Sequence, residues 1–128
     1  MVEEYLEHSG QEIQVTTPGY PNLYPLNAVC SWKYTLENVS GILTFVDVDL
    51  QPDHELHITQ LKNGTQIGPE LTFSANKSLP DDIFLKGDVV EINWSSSLFE
   101  DRSKVASKGF HITLRTFGKI LLHTFPYV

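Results

Sequence analysis

Apolar and polar residues alternate along most of this chain with a period of two, which is the signature of half-buried β-strands. Trp32, Tyr34 and Leu36 share one face, and Ser31, Lys33 and Thr35 share the other. Ile42, Val46, Val48 and Leu50 make an apolar face in the next segment, while its other face carries Leu43 and Phe45 and then Asp47 and Asp49. That change of phase predicts a bulge, or a strand buried at one end. Leu56 and Ile58 alternate with Glu55, His57 and Thr59; Val90, Ile92 and Trp94 alternate with Val89, Glu91 and Asn93; Phe110, Ile112 and Leu114 alternate with His111, Thr113 and Arg115. No window of ten or more residues carries a helical repeat. The expected core is Trp32, Tyr34, Val48, Leu56, Ile58, Val90, Ile92, Trp94, Phe110, Ile112 and Leu114.

Turn chemistry separates these runs. Asn63-Gly64 is the strongest hairpin signal, and Pro80-Asp81-Asp82 and Lys86-Gly87-Asp88 also read as turns. Short strands at this spacing predict an all-β chain folded as an antiparallel sandwich. Tyr20-Pro21 and Tyr24-Pro25 exclude a helix near the N-terminus and predict an ordered extended loop that feeds a strand starting near Cys30. Residues 1–10 read as an acidic arm able to start a strand, residues 11–117 as the sandwich, and residues 118–128 as an apolar extension. That extension is either an extra edge strand or a contact strip toward another domain.

The 128 residues suffice for one domain with a real core, and 16 acidic against 9 basic residues give a net charge of −7. That balance excludes nucleic acid as the expected partner, because neutralising phosphates needs clustered Lys and Arg. Arg102, Lys104 and Lys108 read as a solvated loop. No apolar run approaches the ~20 residues of a membrane span. Residues 1–7 are acidic and lack the apolar core of a signal peptide, so an exported form is expected to be trimmed or part of something larger. Four sequons, at Asn38, Asn63, Asn76 and Asn93, exceed the about one expected by chance. They favour an extracellular or secreted chain. The phase of Asn93, opposite Val90, Ile92 and Trp94, turns it toward solvent. Cys30 is the single cysteine; a buried inert thiol or a bridge to a cysteine outside this chain are the two readings.

Residues 10 to 116 resemble a CUB domain, an extracellular β-sandwich binding module of jelly-roll type. The likeness is carried by Gly10-Gln-Glu-Ile13, by Gly19-Tyr-Pro-Asn-Leu-Tyr-Pro25 followed by Cys30-Ser-Trp32, by Phe45-Val-Asp-Val48-Asp-Leu50, by Leu56-His-Ile58, by Trp94-Ser-Ser-Ser97 and by Lys108-Gly109-Phe110. Only the second is specific by itself. The family commonly has two disulfides, and only Cys30 matches one of their four cysteines. Losing a bridge removes a few kcal/mol, so the core must hold the domain.

The resemblance further implies a calcium site in many members, which orders loops that grip a partner's lysine or arginine. Tyr24 matches its tyrosine. Gln51, His54 and Ser97 stand where the family has a glutamate and two aspartates. Calcium draws affinity from ligand charge, so no cofactor is expected and calcium is disfavoured. A weak site rebuilt from Asp49, Asp53, Glu100 and Asp101 is the alternative. Partner binding is expected through Tyr20, Tyr24, Asp53, Ser97, Asp101 and the rest of the 97–103 loop, with tyrosines giving contact area at low entropic cost. The negative charge favours a protein partner with a basic surface.

No catalytic constellation is present. Asp53, Glu55 and His57 form a flat row that does not surround a metal, and Ser95-Ser96-Ser97 lacks a nucleophile elbow. The expected function is noncatalytic protein binding. Two alternatives are carbohydrate recognition, with Tyr20, Tyr24 and Tyr34 as stacking platforms, and a structural module docked through residues 118–128.

Overall fold

The computed structural model describes residues 2–22, 28–50, 54–73, 79–96 and 108–118. Strands β1 (Val2–Leu6), β3 (Val29–Leu36), β9 (Val89–Ser95), β5 (Glu55–Lys62) and β6 (Thr65–Gln66) lie in that order in one sheet, with β7 (Leu71–Phe73) also paired to β5. The second sheet has the order β2 (Glu12–Thr16), β10 (Gly109–Gly118), β4 (Val39–Asp49) and β8 (Ile83–Phe84). All pairings are antiparallel except β1 with β3. The acidic N-terminal residues thus form an edge strand, with Leu6 buried.

The core lies between the sheets, and the alternation explains it. Tyr34, Leu56, Ile58, Val90, Ile92, Trp94, Phe110, Ile112 and Leu114 are all buried. Trp32 and Val48 depart from expectation: both are half-buried and pack against the edge of that cluster. The Trp32 ring meets Phe110 edge-on at 5.7 Å, and Trp94 meets the same ring at 6.4 Å.

In β4 the expected bulge is present. His111 pairs with Asp47 and Ile112 with Phe45, so Val46 has no opposite residue. Leu43 and Phe45 face inward before the bulge, whereas Leu50 is buried after it and Val46 is 48% exposed. The expected single face of Ile42, Val46, Val48 and Leu50 is therefore wrong for its first two members, because one extra residue inverts the phase.

The Asn63-Gly64 hairpin joins β5 to β6, with Lys62 opposite Thr65. Both turn residues have positive φ, 52° and 80°, as a two-residue hairpin of matching twist requires. Gly87, in the turn before β9, has another cause: a Cβ there would stand 2.1 Å from the Leu61 carbonyl oxygen. The turns at Asn38, Asn63 and Gly87 gather at one end of the sandwich. Tyr20, Asp49, His54, Ser96 and Lys108 mark the other.

Candidate loop-end site

The second end of the sandwich is built around Thr17, which is 1% exposed. Its backbone N–H donates to the Phe110 carbonyl, and its hydroxyl oxygen accepts the Phe110 N–H, both at 3.2 Å. This pins the chain after β2 to the start of β10. Two turn bonds follow, Tyr20 N–H to the Thr17 carbonyl at 3.2 Å and Asn22 N–H to the Gly19 carbonyl at 2.8 Å. The segment therefore turns where the prolines predicted extension. Gly19 takes a positive φ of 81°, and the Tyr20–Pro21 peptide is cis.

The turn sets Tyr20 over the outer face of the β2–β10–β4–β8 sheet. Its hydroxyl donates to Asp47 Oδ2 at 2.9 Å, and its ring lies 5.5 Å from the His111 ring at 58°. Lys108 closes the cluster. Its Nζ lies 3.2 Å from the same Asp47 oxygen, and its backbone N–H donates to Asp49 Oδ2 at 2.9 Å. The β4–β10 ladder makes this meeting possible, since His111 is opposite Asp47 and Gly109 opposite Asp49. His111 Nε2 in turn meets Gln14 Oε1, and Thr113 Oγ1 donates to that oxygen at 3.0 Å.

Electrostatics favour the protonated forms of Lys108 and Tyr20. The hydrogen bond from the Lys108 ammonium to Asp47, together with that carboxylate's charge, pushes the lysine above its ordinary range. Desolvation, then the Asp47 bond and charge, push the Tyr20 phenol up as well. Both groups stay protonated and both address one carboxylate.

Of the expected binding residues, the structure places Tyr20 in this cluster. Tyr24, Asp53, Ser97 and Asp101 lie outside the described residues, as do Gln51 and Glu100. Asp49, expected as a member of a rebuilt calcium site, already accepts the Lys108 N–H. His54, at the start of β5 on this end, is 0% exposed. Asp47, Lys108 and His111 were missed by the sequence reading. Asp47 and Asp49 were legible as outward residues of β4, but Lys108 read as part of a solvated loop.

Among the described residues no group of three or more His, Cys, Asp or Glu side chains is placed to hold a metal ion. His57 shows why. Glu55 Oε1 lies 3.4 Å from its Nε2 and Glu70 Oε1 lies 3.1 Å from its Nδ1, so the two carboxylates sit on opposite sides of the ring.

Cys30 is a free, half-buried thiol whose pKa burial pushes up, the opposite of nucleophile activation. Tyr34 is buried, which removes it from any sugar-stacking platform. Asn38, Asn63 and Asn93 are exposed, and Asn93 Oδ1 accepts a bond from the Ser31 hydroxyl at 2.8 Å; Asn76 lies outside the described residues. Among the described residues no helix is long and apolar enough to cross a membrane.

Residues 4–114 match the family described as CUB domain. Solved structures agree in fold. The full extracellular region of zebrafish Gpr126/Adgrg6 aligns over 90% of this chain at 21% identity and a TM-score of 0.69, and the chain spans 14% of that one. The MASP-1 CUB2 domain bound to Ca2+ aligns over 86% of this chain and 96% of its own, at 22% identity and a TM-score of 0.60. The CUB1-EGF-CUB2 domains of rat MASP-1 align over 88% of this chain and 42% of theirs, at 16% identity and a TM-score of 0.64.

Proposed function

The chain belongs to the CUB domain family, and from that premise we propose that it is a noncatalytic extracellular module that binds a protein partner at its Tyr20 end without calcium. CUB domains are typically extracellular protein-interaction modules and are generally noncatalytic. One observation carries the reading for this chain. The Lys108 ammonium and the Tyr20 hydroxyl both engage Asp47 Oδ2, at 3.2 and 2.9 Å.

In that arrangement a resident cation does what a bound ion would otherwise do. It offsets the carboxylate and ties β4 to the start of β10, while the Tyr20 turn is held by the same oxygen. Calcium would have to displace the ammonium and still find six or more oxygens. Gln51 and Ser97 supply neutral donors at best, and the His54 imidazole is not a calcium ligand.

Tyr20, half-buried and fixed through its hydroxyl, offers a rigid aromatic edge to a partner at little entropic cost. The net charge of −7 favours a basic partner surface and raises the rate of encounter with one. The exposed sequons at Asn38, Asn63 and Asn93 lie on the opposite end and on the other sheet, so glycans there would leave the Tyr20 end open.

The test is capture of extracellular proteins on the immobilised chain, in EDTA, beside Tyr20→Ala and Lys108→Glu. The reading expects a partner retained in EDTA and lost in both variants. A partner that requires calcium, or that binds both variants as well as the parent, overturns it.

A further inference from the structure

At the end of the sandwich away from Tyr20, Glu37 and Asn38 form the two-residue turn between β3 and β4. Asn38 is exposed there, with φ of 58°. It lines a hollow of about 170 Å³ together with Leu36, Val39, Leu85, Lys62 and Asp88, among others. Backbone bonds fix the sides of the hollow. The Leu36 N–H donates to the Asp88 carbonyl at 2.7 Å, and the Asp88 N–H donates to the Leu61 carbonyl at 3.0 Å. The Lys86 and Gly87 N–H groups both donate to Gln60 Oε1, at 2.7 and 3.3 Å. One group is left over. Asp88 Oδ1 is buried and accepts no hydrogen bond among the described residues. Buried acceptors are almost always paired, so this one calls for a donor from outside the polypeptide.

We propose that the hollow seats the innermost N-acetylglucosamine of a glycan carried by Asn38, with a sugar hydroxyl donating to the Asp88 carboxylate. Three observations converge on that occupant. First, Asn38-Val39-Ser40 is a sequon, and its asparagine lines the hollow itself. Second, the lining suits a pyranose. Leu36, Val39 and Leu85 face its C–H surface, while Asp88 accepts from a hydroxyl and Lys62 donates to an oxygen. Third, the size suits a tethered sugar. The hollow is smaller than the about 300 Å³ at which free small-molecule sites begin, but a covalently held sugar meets it at high effective concentration. The bond itself is made by the secretory glycosylation machinery from a lipid-diphosphate-linked oligosaccharide. The Asn38 amide nitrogen bonds to C1 of the sugar and gives up a proton as the lipid diphosphate leaves. The inference rests on the extracellular reading of the chain and is independent of the partner bound at the Tyr20 end.

The test uses the full chain, secreted from a eukaryotic cell behind an added leader, with its glycans trimmed by an endoglycosidase to the innermost sugar. Peptide mass is expected to show Asn38 occupied. Asn38 bare beside glycans at other sequons overturns this inference alone; a secreted chain with no glycan at all overturns it and counts against the extracellular reading as well. By NMR, protons of the isotope-labelled sugar are expected to show Overhauser contacts to the methyl groups of Val39 and Leu85, and these contacts should vanish in Asn38→Gln. Their absence in the parent overturns the proposal. Hydrogen exchange gives a second reading. The amides of Lys86, Gly87 and Asp88 are expected to exchange at least fivefold faster in Asn38→Gln, and equally fast in glycosylated Asp88→Ala, while β5 keeps its protection. Unchanged exchange in Asn38→Gln means that the sugar does not seat there and overturns the proposal. If β5 loses protection in Asp88→Ala, the Overhauser contacts decide.

Discussion

The Lys108 ammonium lies 3.2 Å from Asp47 Oδ2, an oxygen that also accepts the Tyr20 hydroxyl at 2.9 Å. Two donors from opposite ends of the sequence thus converge on one carboxylate of β4. The lysine side chain is about half exposed, so the pair adds little to stability in high dielectric. In the proposed reading, the pair sets the position and charge of the loop end. Replacing Lys108 with Ala should leave the fold intact and loosen the Tyr20 turn, seen as a faster-relaxing Tyr20 ring by NMR. A ring as rigid as in the parent would show that Thr17 and the β10 anchor suffice.

Stability should fall on the alkaline side of neutrality. Among the described residues, Cys30, Tyr20, Tyr34 and Lys108 are all shifted upward. A raised folded value means the unfolded chain loses its proton first, so stability is complete below the unfolded value and is lost as pH rises through the folded one. Burial takes Tyr34 from 10.0 to about 12. That corresponds to about 2–3 kcal/mol lost as pH rises from about 10 toward 12. Urea midpoints measured from pH 7 upward should be level to about pH 9 and then decline. Tyr34→Phe should flatten the steepest part of that decline.

Trp94→Ala should cost about 3–5 kcal/mol, the range for emptying a closed site. Trp94 is 1% exposed and packs on Phe110. Trp32→Ala should cost clearly less, because Trp32 is half-buried and water can enter the space it leaves. Equal losses in chemical denaturation would show that the half-buried Trp32 is as important as the enclosed ring.

Alternation made the strands legible in the sequence, since each buried run follows from a period of two. Even the bulge at Val46 was readable, as the point where the apolar face of β4 changes sides. Its consequence for Val46 itself was not, because alternation does not say which residue is the extra one. The loop-end cluster was only partly legible. Tyr20 and Asp49 stood out by motif and position, but Asp47 and Lys108 are joined by the β4–β10 register, which no local pattern encodes.

Expression through a eukaryotic secretory pathway should attach N-glycans at Asn93 and at one or more of Asn38, Asn63 and Asn76. Asn38 and Asn63 sit on exposed turns with φ of 58° and 52°, and Asn93 faces solvent from β9. Mass spectrometry before and after a peptide N-glycanase reads the occupancy. A secreted product of unmodified mass would contradict the expectation.

Calorimetric titration of calcium into the chain tests the central claim most directly, that the loop end works with its own lysine in place of an ion. The account predicts no saturable binding, or a dissociation constant in the millimolar range or weaker, as expected where the carboxylates of a site are replaced or already paired. Lys108→Glu, which removes the resident cation and adds a carboxylate beside Asp47 and Asp49, should strengthen that binding. A micromolar dissociation constant for the parent chain, abolished by Asp49→Ala or Asp53→Ala, would contradict the account.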